Sequence, residues 1–276
     1  MYLNDLDFSL EDLVLGATDH WEFVSASHKG KVRSVNEDSC AIWPDQAMAM
    51  VADGMGGHAA GDFASQTLAQ TLDTGALGTS FASRLNWIED KIDQAHSEIR
   101  EYSQSDCEGR TVGSTVVVWL EADPLVAVLW AGDSRLYRVQ HPSVPSHPLR
   151  EHDFECLTTD HSQLNEMLER GLITQEQANG KKGGNIITRA VGARQRVFLD
   201  SQIFELFNTD EFLLCSDGLY GALSAQEIRS HMVAPADTQT RAVQLMKSAL
   251  DAGARDNVSF IIISPKPTLA LEAMNG

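Results

Sequence analysis

The sequence predicts an α+β domain: two mainly antiparallel β-sheets packed face to face, with pairs of helices on the outside. Three observations carry this expectation. Short runs rich in β-branched and aromatic residues follow one another closely and are bounded by turn residues, as hairpins require. The helical stretches come in adjacent pairs instead of alternating singly with strands, which disfavours a parallel βαβ sheet. With 276 residues, 43% of them hydrophobic, the chain is long enough to hide roughly 70–75% of its unfolded surface in a core.

Taken in order, a first strand is expected after Glu37-Asp38 in "VRSVNEDSCAIW" and a second at "AMAMVA" (47–52). The first helical pair follows. Residues 59–73 place Phe63, Ala64, Leu68 and Leu72 on one face. In 80–103 the apolar positions Phe81, Leu85, Ile88, Ile92, Ala95 and Ile99 step by 4, 3, 4, 3 and 4, which marks a helix with one buried stripe. Strands are predicted at 114–120, 125–131 and 134–140, with Asp133-Ser134 as a plausible hairpin tip. The proline-bearing "HPSVPSHPLREHD" (141–153) reads as a long loop within one domain. Helices fit 162–170 and 174–179, strands 197–207 and 210–216, helices 225–232 and 238–252, and a last strand 257–264. There is no internal repeat and no low-complexity linker.

Composition narrows the function classes. A net charge of −18 opposes nucleic-acid binding, which depends on lysine and arginine neutralising phosphates; a divalent cation or a basic protein is the better match. Cys40, Cys107, Cys156 and Cys215 are widely spaced without a CxxC pair, so neither a zinc knuckle nor a redox motif is indicated and reduced thiols are expected. No stretch approaches the ~18 apolar residues of a membrane span, and the acidic N-terminus lacks the features of a secretory signal. A cytoplasmic protein is expected.

Carboxylates recur where strands end or begin. "AMAMVA" runs into Asp53-Gly54, "EFLLCS" into Asp217-Gly218, and Asp256-Asn257 precedes "VSFIII"; Glu37-Asp38 and Asp133 flank other strands. Each has an ordinary structural reading, since Asp-Gly and Asp-Ser are turn dipeptides. Their recurrence suggests convergence at one edge of the sandwich. Two carboxylates about 4 Å apart repel by roughly 4 kcal/mol at an effective dielectric of about 20, so a cluster stays ionised only beside cations. Oxygen-only ligands favour magnesium or manganese over zinc. Arg33, just before the acidic pair, carries a guanidinium fork suited to phosphate, although a surface salt bridge is the plainer reading. The glycines of "MVADGMGGHAAGDFAS" do not form a nucleotide loop: no lysine follows them, and Ala59 stands where a GxGxxG fingerprint needs glycine.

In order, "RSVNED", "VADGMGGHAAG", "GSTVVV", "WAGDSRLY", "LTTDHS", "NIITRAVG", "LLCSDGLYG" and "ARDNVSFIII" closely resemble the motifs of the metal-dependent serine/threonine protein phosphatases of type 2C, in their bacterial form. The resemblance runs from residue 28 to about 264. It implies an αββα sandwich with two Mn²⁺ or Mg²⁺ ions at one edge. By position Asp53 would bridge both ions, the Gly54 carbonyl would bind one, and Asp217 and Asp256 would hold the other. Glu37 and Asp38 would support the site directly or through water, Asp133 would serve a weaker third ion, and Arg33 would clamp the substrate phosphate. A catalytic unit over 21–266 is implied, between an extension (1–20) and a tail (267–276), with a substrate-access flap at about 160–192 whose tip is Lys181, Lys182, Gly183 and Gly184. His161 reads as structural.

The implied reaction is hydrolysis of phosphoserine or phosphothreonine in proteins by a metal-bridging hydroxide, opposing a Ser/Thr kinase, with phosphoprotein partners, no nucleic acid or membrane partner, and a monomeric state. One departure concerns the leaving-group proton: animal members carry histidine after Asp-Gly, where this chain has Met55, which cannot donate one; His58 more simply supports the loop. Two alternatives remain open, a binding-only pseudophosphatase and a metallohydrolase of small phosphoesters. Type VI secretion is a candidate pathway.

Overall fold

The computed structural model describes residues 8–57, 59–75, 78–141, 153–179 and 186–266. Among these the strands are β1 (Val14–Ala17), β2 (Trp21–His28), β3 (Asp38–Trp43), β4 (Met48–Met55), β5 (Gly113–Ser114), β6 (Val116–Ala122), β7 (Leu125–Ala131), β8 (Arg135–Gln140), β9 (Phe154–Cys156), β10 (Asp200–Glu205), β11 (Asp210–Cys215) and β12 (Val258–Pro265). The α-helices are α1 (Ala59–Leu72), α2 (Phe81–Ser105), α3 (Gln163–Glu169), α4 (Gln175–Asn179), α5 (Asp217–Ala222), α6 (Ala225–Met232) and α7 (Thr238–Asp251). One sheet runs β1-β2-β12-β11-β8-β9. The other runs β10-β7-β6-β4-β3, with β5 added to β4. The pairings are antiparallel.

The period-2 alternation of strand side chains divides the apolar residues among three cores. Along β4, Ala49 and Val51 face the opposing sheet, while Met48, Met50 and Ala52 face α1 and α2. In β6, Val117 and Trp119 lie between the sheets, and Val116, Val118 and Leu120 lie under the same helices. Helix α2 starts at a Ser80–Ser83 capping box and buries Ile88, Ile92, Ala95 and Ile99, the predicted stripe. On the other sheet Leu213 and Cys215 of β11, with Phe260 and Ile262 of β12, pack against α5, α6 and α7. Strands buried on both faces give a rigid slab whose ends can hold side chains in fixed places.

The predicted layering is present, with local differences. Residues 125–131 and 134–140 are strands, but they do not form a hairpin: β7 belongs to one sheet and β8 to the other. The chain crosses over at Gly132 (φ +111°), so that the outer face of β7 (Leu129) lies in one helix-backed core and that of β8 (Tyr137, Val139) in the other. The strand expected at 197–207 is confined to β10. Strands β1, β2, β5 and β9 were not legible. β2, "WEFVSASH", is central, pairing along its whole length with β12 from Trp21↔Pro265 to His28↔Val258. It is buried at consecutive positions, so it shows no alternation. Asp217-Gly218 opens helix α5 instead of a simple turn. His58, the flap tip at Lys181–Gly184, the tail 267–276 and most of the proline-bearing loop lie outside the described residues. The four cysteines are unpaired.

Trp119 is fully buried between the sheets, with its ring 5.4 Å from Trp21, 5.8 Å from Phe23 and 5.7 Å from Phe212. Trp119→Ala is expected to remove about 3–5 kcal/mol of stability. Urea unfolding checks this: the midpoint should fall with little change in slope.

Candidate active site

The strand register brings the first two carboxylates together. Asp38 opens β3 and stands directly opposite Asp53 of β4, an arrangement that is destabilising for like charges. Backbone ties hold Asp53 there. Its N–H donates to Thr115 Oγ1 (3.0 Å), and its carbonyl accepts from Thr115 N (2.9 Å) and Ser114 Oγ (2.9 Å). The next residue must be glycine, because a Cβ on Gly54 would stand 2.0 Å from the Gly61 carbonyl oxygen of α1. Gly54 N–H donates to the Glu37 carbonyl (3.1 Å), so the acidic pair and the end of β4 form one unit.

The other sheet contributes its carboxylates at the same edge. Asp217 is the first residue of α5, just past the end of β11. The preceding Ser216 Oγ donates to Asp38 Oδ2 (2.8 Å) across the two sheets. A Cβ on Gly218 would fall 1.8 Å from the Asn257 carbonyl oxygen, so this glycine allows α5 to lie against the loop that carries Asp256. Asn257 clamps that loop to the Arg33 segment. Its Nδ2 donates to the carbonyls of Lys29 and Val35 (2.9 Å each), and its Oδ1 accepts from Glu37 N (2.9 Å). Arg33 Nη2 lies 2.6 Å from Asp256 Oδ2 at the exposed rim.

Asp133 arrives on the crossover between β7 and β8. It is 2% exposed, and its carbonyl accepts from Tyr220 Oη of α5 (2.9 Å). His161 fixes the turn beside it: Nδ1 accepts from Gly132 N (3.1 Å) and the His161 N–H donates to the Gly132 carbonyl (2.9 Å). His161 Nε2 lies 3.1 Å from Asp200 Oδ2, and the ring stacks on Trp130. The histidine is thus a structural element of the crossover.

Burial, followed by mutual repulsion, dominates the electrostatics. Burial pushes the Asp38 carboxyl up to about 7 against donors from Ser259 and Ser216, and Asp217 and Asp256 add to the rise. Asp133 is pushed up to about 7 by burial and by Asp217. Burial raises Asp53 well above the ordinary range, with further contributions from Asp38, Asp217, Asp133 and Asp256. Asp217 is also raised, by burial and then by Asp256, while a hydrogen bond with Asp53 opposes the shift. Asp38 Oδ1 and Asp133 Oδ1 are buried without a hydrogen-bond partner. Among the described residues no three His, Cys, Asp or Glu side chains form a ready-made ligand set; Arg33, Ser216 and the Asp53–Asp217 hydrogen bond hold the carboxylates instead. The donor chemistry nonetheless fits hard divalent cations: all-oxygen groups, under-compensated and with unpartnered oxygens. Two pockets of about 710 and 470 Å³ lie at the far end of the sandwich, lined by none of these aspartates.

The structure therefore gathers Asp38, Asp53, Asp133, Asp217, Asp256 and Arg33 at one edge, with Glu37 and Gly54 joined to it through the backbone. Sequence reasoning missed the residues that hold them: Asn257, Ser216 and Thr115. Each stands beside a predicted carboxylate or inside a quoted motif, but their role rests on contacts distant in sequence. Asn257→Ala is expected to weaken Mn²⁺ affinity by about 10–100-fold, the usual cost of losing a group that orients ligands, as calorimetric titration would show. The raised carboxyls also set a pH dependence. In the absence of metal, the folded Asp133 binds a proton between its unfolded value near 3.8 and its folded value near 7. Its contribution to stability is full below that window and lost as pH rises through it. In chelator, Asp133→Asn should therefore gain stability relative to wild type between pH 4 and about 7, by a few kcal/mol at most, measured by denaturant midpoints across that range.

The protein phosphatase 2C family profile matches residues 26–252. A serine/threonine phosphatase, stp, from Listeria monocytogenes serotype 4b is 32% identical over 252 residues, covering 88% of this chain and 95% of its own length. The structure of PppA, a key regulatory component of T6SS in Pseudomonas aeruginosa, superposes with a TM-score of 0.76 at 32% identity, covering 90% of this chain and 98% of PppA. The catalytic domain of the serine/threonine protein phosphatase PstP, in complex with two manganese ions, gives a TM-score of 0.74 at 27% identity, with 89% and 98% coverage. With the sandwich and its carboxylate edge already in place, these likenesses identify the chain as a member of the protein phosphatase 2C family, of the bacterial serine/threonine phosphatase kind.

Proposed function

We propose that the chain removes phosphate from serine and threonine side chains of proteins at the carboxylate edge, with two divalent cations, manganese or magnesium, as its resident cofactor. The observation that carries this reading is the convergence of five buried or half-buried aspartates and one rim arginine on a protein phosphatase 2C fold. When bound, the ions supply an activated water and neutralise the phosphoryl oxygens.

Asp53 faces Asp38 and is raised further by Asp217, Asp133 and Asp256, so its carboxylate would be the one shared by the two ions. The Gly54 carbonyl, Asp217 and Asp256 complete the two-ion set, with Glu37 and Asp38 supporting it. Asp133, whose carboxyl the nearby Asp217 helps to raise, would serve a third ion. Arg33 is half exposed at the rim and already grips a carboxylate; its fork can exchange that partner for a phosphoryl group of similar geometry. Met55 has no proton to give, and His161 is committed to Gly132 and Asp200, so neither serves as the acid for the leaving alkoxide. We read residues 21–266 as the catalytic unit, acting as a monomer against the targets of a partner Ser/Thr kinase. The likeness to PppA supports a type VI secretion pathway as the setting. An intact acid set argues against a binding-only role.

Turnover of a phosphothreonine peptide should require Mn²⁺ and cease on chelation. Asp53→Ala is expected to reduce kcat by well over the 10–100-fold typical of outer-shell changes, and full activity in that variant would overturn the assignment. Arg33→Ala should raise KM more than it lowers kcat if the guanidinium grips the phosphate in both ground and transition states.

A further inference from the structure

Beside the carboxylate edge lies a small cavity that the proposed chemistry does not use. It has a volume of about 210 Å³, and Arg189, Arg194 and Arg196 line it together with Thr188, Phe198 and Glu166. Three arginines in one cavity are notable in a chain of net charge −18. Arg189 is paired with Asp200 at 2.5 Å. Arg194 and Arg196 are exposed, and neither makes a salt bridge among the described residues. Thr188 Oγ1 is buried without a hydrogen-bond partner. The Glu166 carboxylate lies 3.8 Å from Arg170, which takes up part of its charge. Phe198, 65% exposed, gives the cavity an apolar lip.

Backbone pairing fixes its distance from the reaction centre. Gly54 of β4 pairs with Ser114 of β5, and Ser114 pairs in turn with Val191 through two hydrogen bonds of 2.9 and 2.8 Å. Val191 is therefore two strand spacings, about 10 Å, from Gly54; Ala190, which lines the cavity, directly precedes it, and Arg189 is one residue further back. An extended peptide advances about 3.3 Å per residue. A substrate with its phosphate at the carboxylate edge reaches the cavity with a residue roughly three positions away.

We propose that this cavity is an anion subsite that binds an acidic group of the phosphoprotein substrate, about three residues from the phosphoresidue being cleaved, and so sets sequence preference. The proposal rests on the protein-phosphatase reading and adds to it a substrate class, phosphoproteins acidic around the modified residue. Guanidinium forks suit a carboxylate or a second phosphate equally.

The test is a ratio of kcat/KM values for phosphothreonine peptides that differ only by Asp against Asn, placed three residues before or after the phosphothreonine. The Mn²⁺-loaded wild-type enzyme should favour Asp at one of the two positions by roughly tenfold, as expected for a charge-assisted hydrogen bond. In Arg194→Ala/Arg196→Ala the ratio should fall to within about twofold of one, and Arg196→Glu should lower it further. A ratio cancels any general change in the reaction centre, and p-nitrophenyl phosphate, too small to span both sites, reports on that centre separately. Phosphoserine in place of Asp distinguishes the sources of charge: a further gain marks a phosphate-reading subsite, an equal rate a carboxylate-reading one. Equal rates for Asp and Asn peptides in wild type, or an undiminished ratio in the double variant, overturn the subsite alone. Turnover of p-nitrophenyl phosphate without cleavage of any phosphopeptide overturns the protein-phosphatase reading and the subsite with it.

Discussion

Asp38 and Asp53 face one another across β3 and β4, with Asp133, Asp217 and Asp256 close enough to add to the repulsion. The scaffold gives these groups little room to retreat. Asp53 is fixed by Thr115 and Ser114, Asp38 by Ser216, and the Asp256 loop by Asn257. Repulsion held in place by backbone and hydroxyl ties is what suits this edge to receiving cations, and packing around it serves to keep it from relaxing. Close approaches at Gly54 and Gly218 follow from the same need, since any side chain there would push apart the segments that carry the acids.

The far end of the sandwich shows how the chain treats a buried carboxylate meant only for structure. Glu211 is pushed up by burial but held below its usual range by donors from His141 and Arg241, and Asp210 sits against Arg138. There each acid has its own cation. At the carboxylate edge Arg33 is ion-paired with Asp256 and opposes the rise of Asp217 only in part, and burial leaves Asp38, Asp53, Asp133 and Asp217 raised. Under-compensation of this kind, confined among the described residues to one edge, sets the candidate site apart from structural ion pairs.

Helix α2 was readable because one stripe of a 25-residue helix is buried at regular steps, from Ile88 to Ile99. The helix-backed strands β4, β6 and β11 were readable from their apolar, β-branched runs. β2 was not: its buried Ser25 and Ala26 carry little strand signal, and its pairing with β12 joins residues more than 200 positions apart. The β7–β8 connection reads as a plausible hairpin in the sequence, because two adjacent strand runs with a Gly-Asp between them look the same whether the chain turns back or crosses between sheets.

The sequence by itself determined the layer order, the residue types at each strand end and the motif string that marks the family, because periodicity and turn chemistry act over a few residues. Tertiary structure alone decided that acids from five separate segments share one edge, that Asn257 ties the Arg33 segment to the Asp256 loop, and that Arg189, Arg194 and Arg196 enclose a cavity beside Val191. Those outcomes depend on strand register and on contacts between distant segments, and such contacts leave no periodic trace in the chain.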